Sequence, residues 1–85
     1  MPQLTLRELG EIMLEFQDLG SAGLLDADLD AVFEDLDCDS LLLLQTTGRI
    51  QREYGVVLDR DGIAAADTPR ALLHLVNNAL AEVAA

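Results

Sequence analysis

Asp39-Ser40-Leu41-Leu42-Leu43-Leu44-Gln45-Thr46-Thr47-Gly48-Arg49-Ile50-Gln51-Arg52-Glu53-Tyr54-Gly55 reads as one helix with both ends marked. Asp39 is a strong N-cap residue, because a short side-chain oxygen there accepts from an otherwise unpaired first-turn amide. Gly55 is placed to end the helix in the left-handed conformation, which glycine adopts without steric cost. The helix predicted by these signals runs from Ser40 to Tyr54. Leu43, Thr46, Thr47, Ile50 and Tyr54 share one face. If that face is the core side, Leu41, Leu44, Gln45 and Gly48 form an adjoining, more exposed strip next to Ser40, and Leu42 is expected to be partly exposed.

Upstream, Thr5 and Glu8 stand in the capping-box arrangement. Leu6, Leu9, Ile12, Met13, Phe16 and Leu19 then recur at helical spacing, which predicts a first helix ending near Gly20. Gly10 costs that helix about 1 kcal/mol relative to Ala, too little to overturn the periodicity. A long connection follows from Gly20 to Asp39, with Leu24, Leu25, Leu29, Val32, Phe33 and Leu36 scattered among acids. Connections above about 12 to 15 residues are uncommon in compact domains and are often functional. This one is expected to pack down by its leucines and Phe33, to hold a short helical turn and to present its carboxylates to solvent.

Downstream, one further helical turn is expected around Gly62 to Ala66. Thr68-Pro69 then supplies an N-cap and a first-position proline for a last helix. Its predicted buried stripe is Leu72, Leu73, Val76, Leu80 and Val83, with Arg70, His74, Asn77, Asn78 and Glu82 toward water. The reading is therefore all-α, with three longer helices, one short helix and a long loop between the first two.

At 85 residues the chain is expected to be a single domain, residues 1–85. A folded chain of this size buries only about 60 to 65% of its unfolded surface, so its stability is modest. The aromatics are Phe16, Phe33 and Tyr54 alone, leaving a core of aliphatic side chains. The net charge of −11 repels nucleic acid. From Glu8 to Asp39 the acids Glu11, Glu15, Asp18, Asp26, Asp28, Asp30, Glu34, Asp35 and Asp37 are uninterrupted by any Lys or Arg, so a basic partner surface is the complement. No run approaches the roughly 20 apolar residues of a membrane span. Nothing in Met1 to Gly10 resembles a secretion signal, and the single cysteine, Cys38, allows no internal disulfide; a cytoplasmic setting is expected.

A serine at a helix start has its hydroxyl near the positive end of the helix dipole, beside unpaired amides that favour a phosphate ester. Taken alone, Asp39 and Ser40 read first as ordinary capping residues. The nonapeptide Phe33-Glu34-Asp35-Leu36-Asp37-Cys38-Asp39-Ser40-Leu41, however, resembles the segment around the modified serine of acyl carrier proteins. Arg52-Glu53-Tyr54-Gly55-Val56 and Asp67-Thr68-Pro69-Arg70-Ala71-Leu72-Leu73 are similar to blocks in the carriers of bacterial type II (aromatic) polyketide synthases, in the same order and spacing.

The resemblance implies a four-helix bundle whose Ser40 receives 4'-phosphopantetheine from coenzyme A, and a carrier with no active site of its own. The arm's thiol would hold starter and extender units and the growing polyketide as thioesters. Implied partners are a phosphopantetheinyl transferase, a ketosynthase with its chain length factor, a malonyl transferase and a ketoreductase or cyclase. Asp35, Asp37 and Asp39 would steer to basic patches while Leu41 and Leu44 make small apolar contacts. Without the resemblance, the same acids read as a solvated face and the two leucines as core. Monomer is the state expected of a shuttle. Asp37-Cys38 replaces the family's usual Gly and larger residue, and Gln45 and Gln51 stand where acids are common, so steering shifts toward the loop. Cys38 is either a buried, inert thiol or one able to form mixed disulfides. Ala64, Ala65 and Ala79 are small residues that either leave room for an acyl chain between helices or pack tightly.

Rival readings remain at this point. Fatty-acid or peptidyl carriers share the modified serine. Asp26-Ala27-Asp28-Leu29-Asp30 begins like a calcium loop, making an acidic cation-binding helical protein using Asp26 to Asp37 an alternative from another class. That pattern has Ala31 where the turn glycine belongs and Asp37 in place of the bidentate Glu. A hydrolase pairing Ser40 with His74 lacks the Gly-x-Ser-x-Gly elbow.

Overall fold

The computed structural model describes residues 3–16, 26–36 and 38–84. Four α-helices follow one another: α1 (Leu6–Phe16), α2 (Ser40–Tyr54), α3 (Arg60–Ala65) and α4 (Pro69–Ala84). Two 3-10 turns, Asp26–Asp28 and Phe33–Leu36, lie in the connection between α1 and α2. No strand occurs among the described residues.

The capping box starts α1 as expected. Thr5 Oγ1 accepts from the Glu8 amide at 3.2 Å, and Glu8 Oε1 accepts from the Thr5 amide at 3.2 Å. The end expected near Gly20, with Leu19, lies outside the described residues. Leu9, Ile12 and Met13 are buried, and α1 packs on α2 and α4. Just before the helix Leu4 is buried, and Asn77 holds its backbone: Oδ1 accepts from the Leu4 amide at 2.7 Å while Nδ2 donates to the Leu4 carbonyl at 3.0 Å. Asn77 therefore does not simply face water. Its side-chain amide carries one acceptor and one donor group, which match the two backbone groups of a residue that no ladder pairs.

In α2 the buried face is turned slightly from the expected one. Leu42, Thr46 and Ile50, at i, i+4 and i+8, form its centre line together with buried Thr47, while Leu43 and Tyr54 are half-buried at its margin. Leu42 is a core residue because successive members of an i, i+4 row diverge by only about 40°. Gly55 closes the helix at φ 67°, its amide donating to the Gln51 carbonyl at 3.1 Å. Gln51 then accepts from the Leu58 amide at 2.9 Å, turning the chain toward α3 with Val56 and Leu58 buried.

The short helix begins at Arg60, earlier than the turn expected around Gly62 to Ala66, and packs on α4. A Cβ at Gly62 would come within 2.9 Å of Leu75 Cδ1, the end of a side chain that would have to shift to admit it. Ala64 and Ala65 are exposed, not core residues, because α3 buries none of its side chains fully; Ala79 is half-buried against the core. In α4 the stripe Leu72, Val76 and Leu80 is buried, with Leu73 half-buried. Val83 shares the angle of that stripe but is 64% exposed, because the buried cluster ends with Leu80.

Two buried threonines on α2 differ in one respect. Thr47 Oγ1 donates to the Leu43 carbonyl at 2.8 Å. Thr46 Oγ1 is fully buried with no partner among the described residues. An unpaired buried hydroxyl costs about 1 to 3 kcal/mol. Thr46→Val is therefore expected to raise stability by about 1 kcal/mol, and Thr47→Val to lower it by about the same. Urea unfolding of the two variants beside the parent checks both signs.

Candidate functional site

The start of α2 is built by the preceding loop. Phe33, buried, anchors it: its amide donates to the Asp67 carbonyl at 2.8 Å and its carbonyl accepts from the Cys38 amide at 3.0 Å. The Arg70 amide donates to the Leu29 carbonyl at 3.0 Å, and the Arg70 guanidinium grips the Asp30 carboxylate at 2.7 and 3.2 Å. The loop is thus fastened at both points to the chain around the start of α4. It packs down by Phe33 and half-buried Leu29 and Leu36, with Glu34 and Asp35 exposed; Leu24, Leu25 and Asp37 lie outside the described residues.

Asp39 then takes an extended backbone, φ −86° and ψ 175°, and its Oδ1 accepts from the Leu42 amide at 2.8 Å. Ser40 follows as the first residue of α2 and is exposed. Leu41 and Leu44 are 64% and 65% exposed, which removes the core reading of both side chains. Gln45 is exposed beside them, and the space around Gly48 is open. Ser40, Asp39, Asp35, Leu41 and Leu44 are all accessible to a partner.

An open groove of about 930 Å³ lies beside Ser40. Ser40, Leu43 and Leu44 line it from α2, and Arg60, Ile63 and Ala64 line it from α3. Of the α3 lining the sequence offers only Ala64, as a small residue that could leave room between helices. Arg60 and Ile63 are not marked, because a groove between helices depends on how they are placed, which no local pattern encodes. Cys38 also lines the groove but is 7% exposed, with Sγ donating to the Leu36 carbonyl at 3.5 Å. It fits the buried-thiol reading.

Three observations bear on the rival chemistries, whose acidic stretch ends at Asp37, outside the described residues. Among the described residues no group of three His, Cys, Asp or Glu side chains is placed to share a metal ion. Asp30 of the acidic stretch is engaged by Arg70, whose hydrogen bonds and then charge hold its carboxyl below the usual range. His74 is exposed on α4 and has no hydrogen bond to Ser40 among the described residues. No described helix is long and apolar enough to cross a membrane.

A small helical bundle with an exposed serine at a helix start, flanked by an open groove and an apolar strip, defines a carrier of a covalently attached group. Residues 16–76 match the family model for the phosphopantetheine attachment site. The chain is 46% identical over 82 residues to the anthracycline acyl carrier protein DpsG of Streptomyces peucetius, covering 94% of this chain and 95% of that one. It is 44% identical over 85 residues to the granaticin polyketide synthase acyl carrier protein of Streptomyces violaceoruber, covering 99% and 100%. The solved apo and holo actinorhodin acyl carrier proteins of S. coelicolor superpose with TM-scores of 0.84 and 0.82, each at 39% identity over 95% of both chains. The chain belongs to the phosphopantetheine attachment site family, within its polyketide synthase acyl carrier proteins. It is a carrier, not an enzyme; it bears 4'-phosphopantetheine covalently and works with the components of a polyketide synthase. Fatty-acid and peptidyl carriers are thereby set aside.

Two expectations follow from this geometry. Replacing the cap, Asp39→Ala, is expected to cost about 1 kcal/mol and to fray the first turn of α2, seen as faster amide exchange at Leu42. Asp30 is a carboxylate whose folded pKa is depressed, so the clasp it forms contributes above the unfolded carboxyl pKa and is lost as pH falls through the folded value. In Arg70→Gln the Asp30 titration midpoint, followed by carbon NMR, is expected to rise to that of an ordinary aspartate.

Proposed function

We propose that Ser40 bears the arm and that the protein shuttles the growing chain of a type II aromatic polyketide synthase. The observation that carries this reading is the position of Ser40: exposed, first in α2, and opening on both the groove and the Leu41–Leu44 strip. The site suits the group. The fifteen-residue α2 directs the positive end of its dipole at a phosphate ester on Ser40 Oγ. Asp39 Oδ1 accepts from the Leu42 amide, and its carboxylate keeps its negative charge beside the site. In the transfer, Ser40 Oγ forms the bond to phosphorus, loses its proton to a base of the separate transferase, and adenosine 3',5'-bisphosphate departs from coenzyme A. The thiol at the end of the arm supplies a thioester for condensation.

Docking on successive enzymes has to be brief, because one carrier serves several. Asp35, Asp37 and Asp39 would provide long-range attraction to basic surfaces, while Leu41 and Leu44 provide a small apolar contact at close range. The partners proposed are the phosphopantetheinyl transferase, the ketosynthase with its chain length factor, a malonyl transferase and a ketoreductase or cyclase, all in the cytoplasm. With Asp35 and Asp39 exposed at the site, affinity falls as salt is raised.

Intact mass after incubation with coenzyme A, magnesium and a broad-specificity transferase tests the assignment. A gain of one phosphopantetheine on the parent and none on Ser40→Ala is expected. A gain retained by Ser40→Ala would move the attachment elsewhere. Binding of the loaded carrier to its ketosynthase is expected to weaken severalfold in Leu41→Asp without loss of helicity, which circular dichroism checks.

A further inference from the structure

In a chain with a net charge of −11, the position of each cation is informative. Arg7 pairs with Glu11, Arg49 with Glu15 and Glu53, and Arg70 with Asp30. Arg52 and Arg60 have no ion pair among the described residues. Arg52 lies in the last turn of α2, where the helix dipole itself favours a cation. Arg60 has no such explanation, since it opens α3, the end at which a dipole disfavours positive charge. It lines the groove beside Ser40 and is the only cation among the described lining residues. The other ionisable side chains of that lining are buried Cys38 and the carboxylates Glu34, Asp39 and Asp67, and no carboxylate among them pairs with it. Apolar Leu43, Ile63 and Ala64 share the open groove with it.

We propose that Arg60 holds an anionic oxygen group of the prosthetic arm in the groove between α2 and α3. The planar guanidinium fork matches phosphate and carboxylate alike. The arm offers that chemistry from two sources: its phosphodiester, next to Ser40, and the terminal carboxylate present when it carries a malonyl unit. The groove's volume of about 930 Å³ is on the scale of sites that enclose a small ligand. Held by the phosphodiester, the arm lies along the groove in every loaded state. Held by the carboxylate, it does so only with an extender unit, and the carrier distinguishes that unit from a neutral chain.

The inference rests on Ser40 as the attachment point, and one set of samples separates the two. The full chain, labelled with nitrogen-15, is prepared apo, holo, acetyl-loaded and malonyl-loaded, with intact mass confirming each state. The Arg60 Nε–Hε resonance is followed, with paired Arg49 and Arg70 as references and Arg52 as the unpaired control. A downfield shift with severalfold slower hydrogen exchange on going from apo to holo, reversed at high salt and absent for Arg52, supports the phosphodiester as source. The same change appearing only in the malonyl form supports the carboxylate. In either case the phosphorus resonance or the arm's proton resonances in the same state should move back toward those of a free arm in Arg60→Gln. An Arg60 signal unchanged in all four states, with mass proving the arm on Ser40, overturns the inference and leaves the carrier assignment standing. Failure to load at Ser40 overturns both, and the mass spectrum alone reveals it.

Discussion

The position at which α2 begins governs the site, and it is set from two directions. Locally, the Asp39 carboxylate meets the Leu42 amide at 2.8 Å. At longer range, backbone hydrogen bonds from Phe33 to Asp67 and from Arg70 to Leu29 fasten the loop to the chain around the start of α4. Either alone would leave Ser40 less well placed. A cap does not determine where its helix lies in the bundle, and a fastened loop does not determine which residue is first in the helix. Together they bring Ser40 to the surface at the end of a groove whose far side is α3.

Much of this was legible in the sequence because the signals were local. Thr5 with Glu8, Asp39, Gly55 and Thr68-Pro69 are boundary residues whose chemistry acts within one turn, and α1 began and α2 and α4 ran where those residues indicated. The errors arose where tertiary contact decides. Leu42 was assigned partial exposure because a helical wheel fixes relative angles but not which direction faces the core. Val83 lay at the right angle but beyond the buried cluster, and periodicity does not encode that limit. Asn77 was assigned to water by polarity, although the backbone of Leu4 gave it a better partner than solvent. The groove was legible only through Ala64, since α3 contributes to it through its placement against α2.

Charge is distributed unevenly around this frame. Most of the arginines are used internally, with Arg49 joining α2 to α1 and Arg70 joining α4 to the loop. These pairs are exposed, and exposed pairs contribute little to stability individually. Their effect is to offset the charge of Arg49 and Arg70 with Glu15, Glu53 and Asp30, while Asp35 and Asp39 stay exposed. For a carrier that works with the components of a synthase, a surface that attracts at a distance but offers only two leucines in contact suits rapid exchange.

The clasp between Asn77 and Leu4 joins residues separated by 73 positions, farther apart in sequence than any other side-chain hydrogen bond described here. Helical turns form within about a microsecond, whereas a contact across such a span must wait for the intervening chain to be ordered. Loop-closure entropy grows only slowly with length, by about 0.6 kcal/mol per doubling, so the cost falls on timing more than on stability. While the chain is still being synthesised, α1 can coil, but Leu4 cannot be seated until Asn77 has left the ribosome, so the bundle is completed only as its last helix emerges.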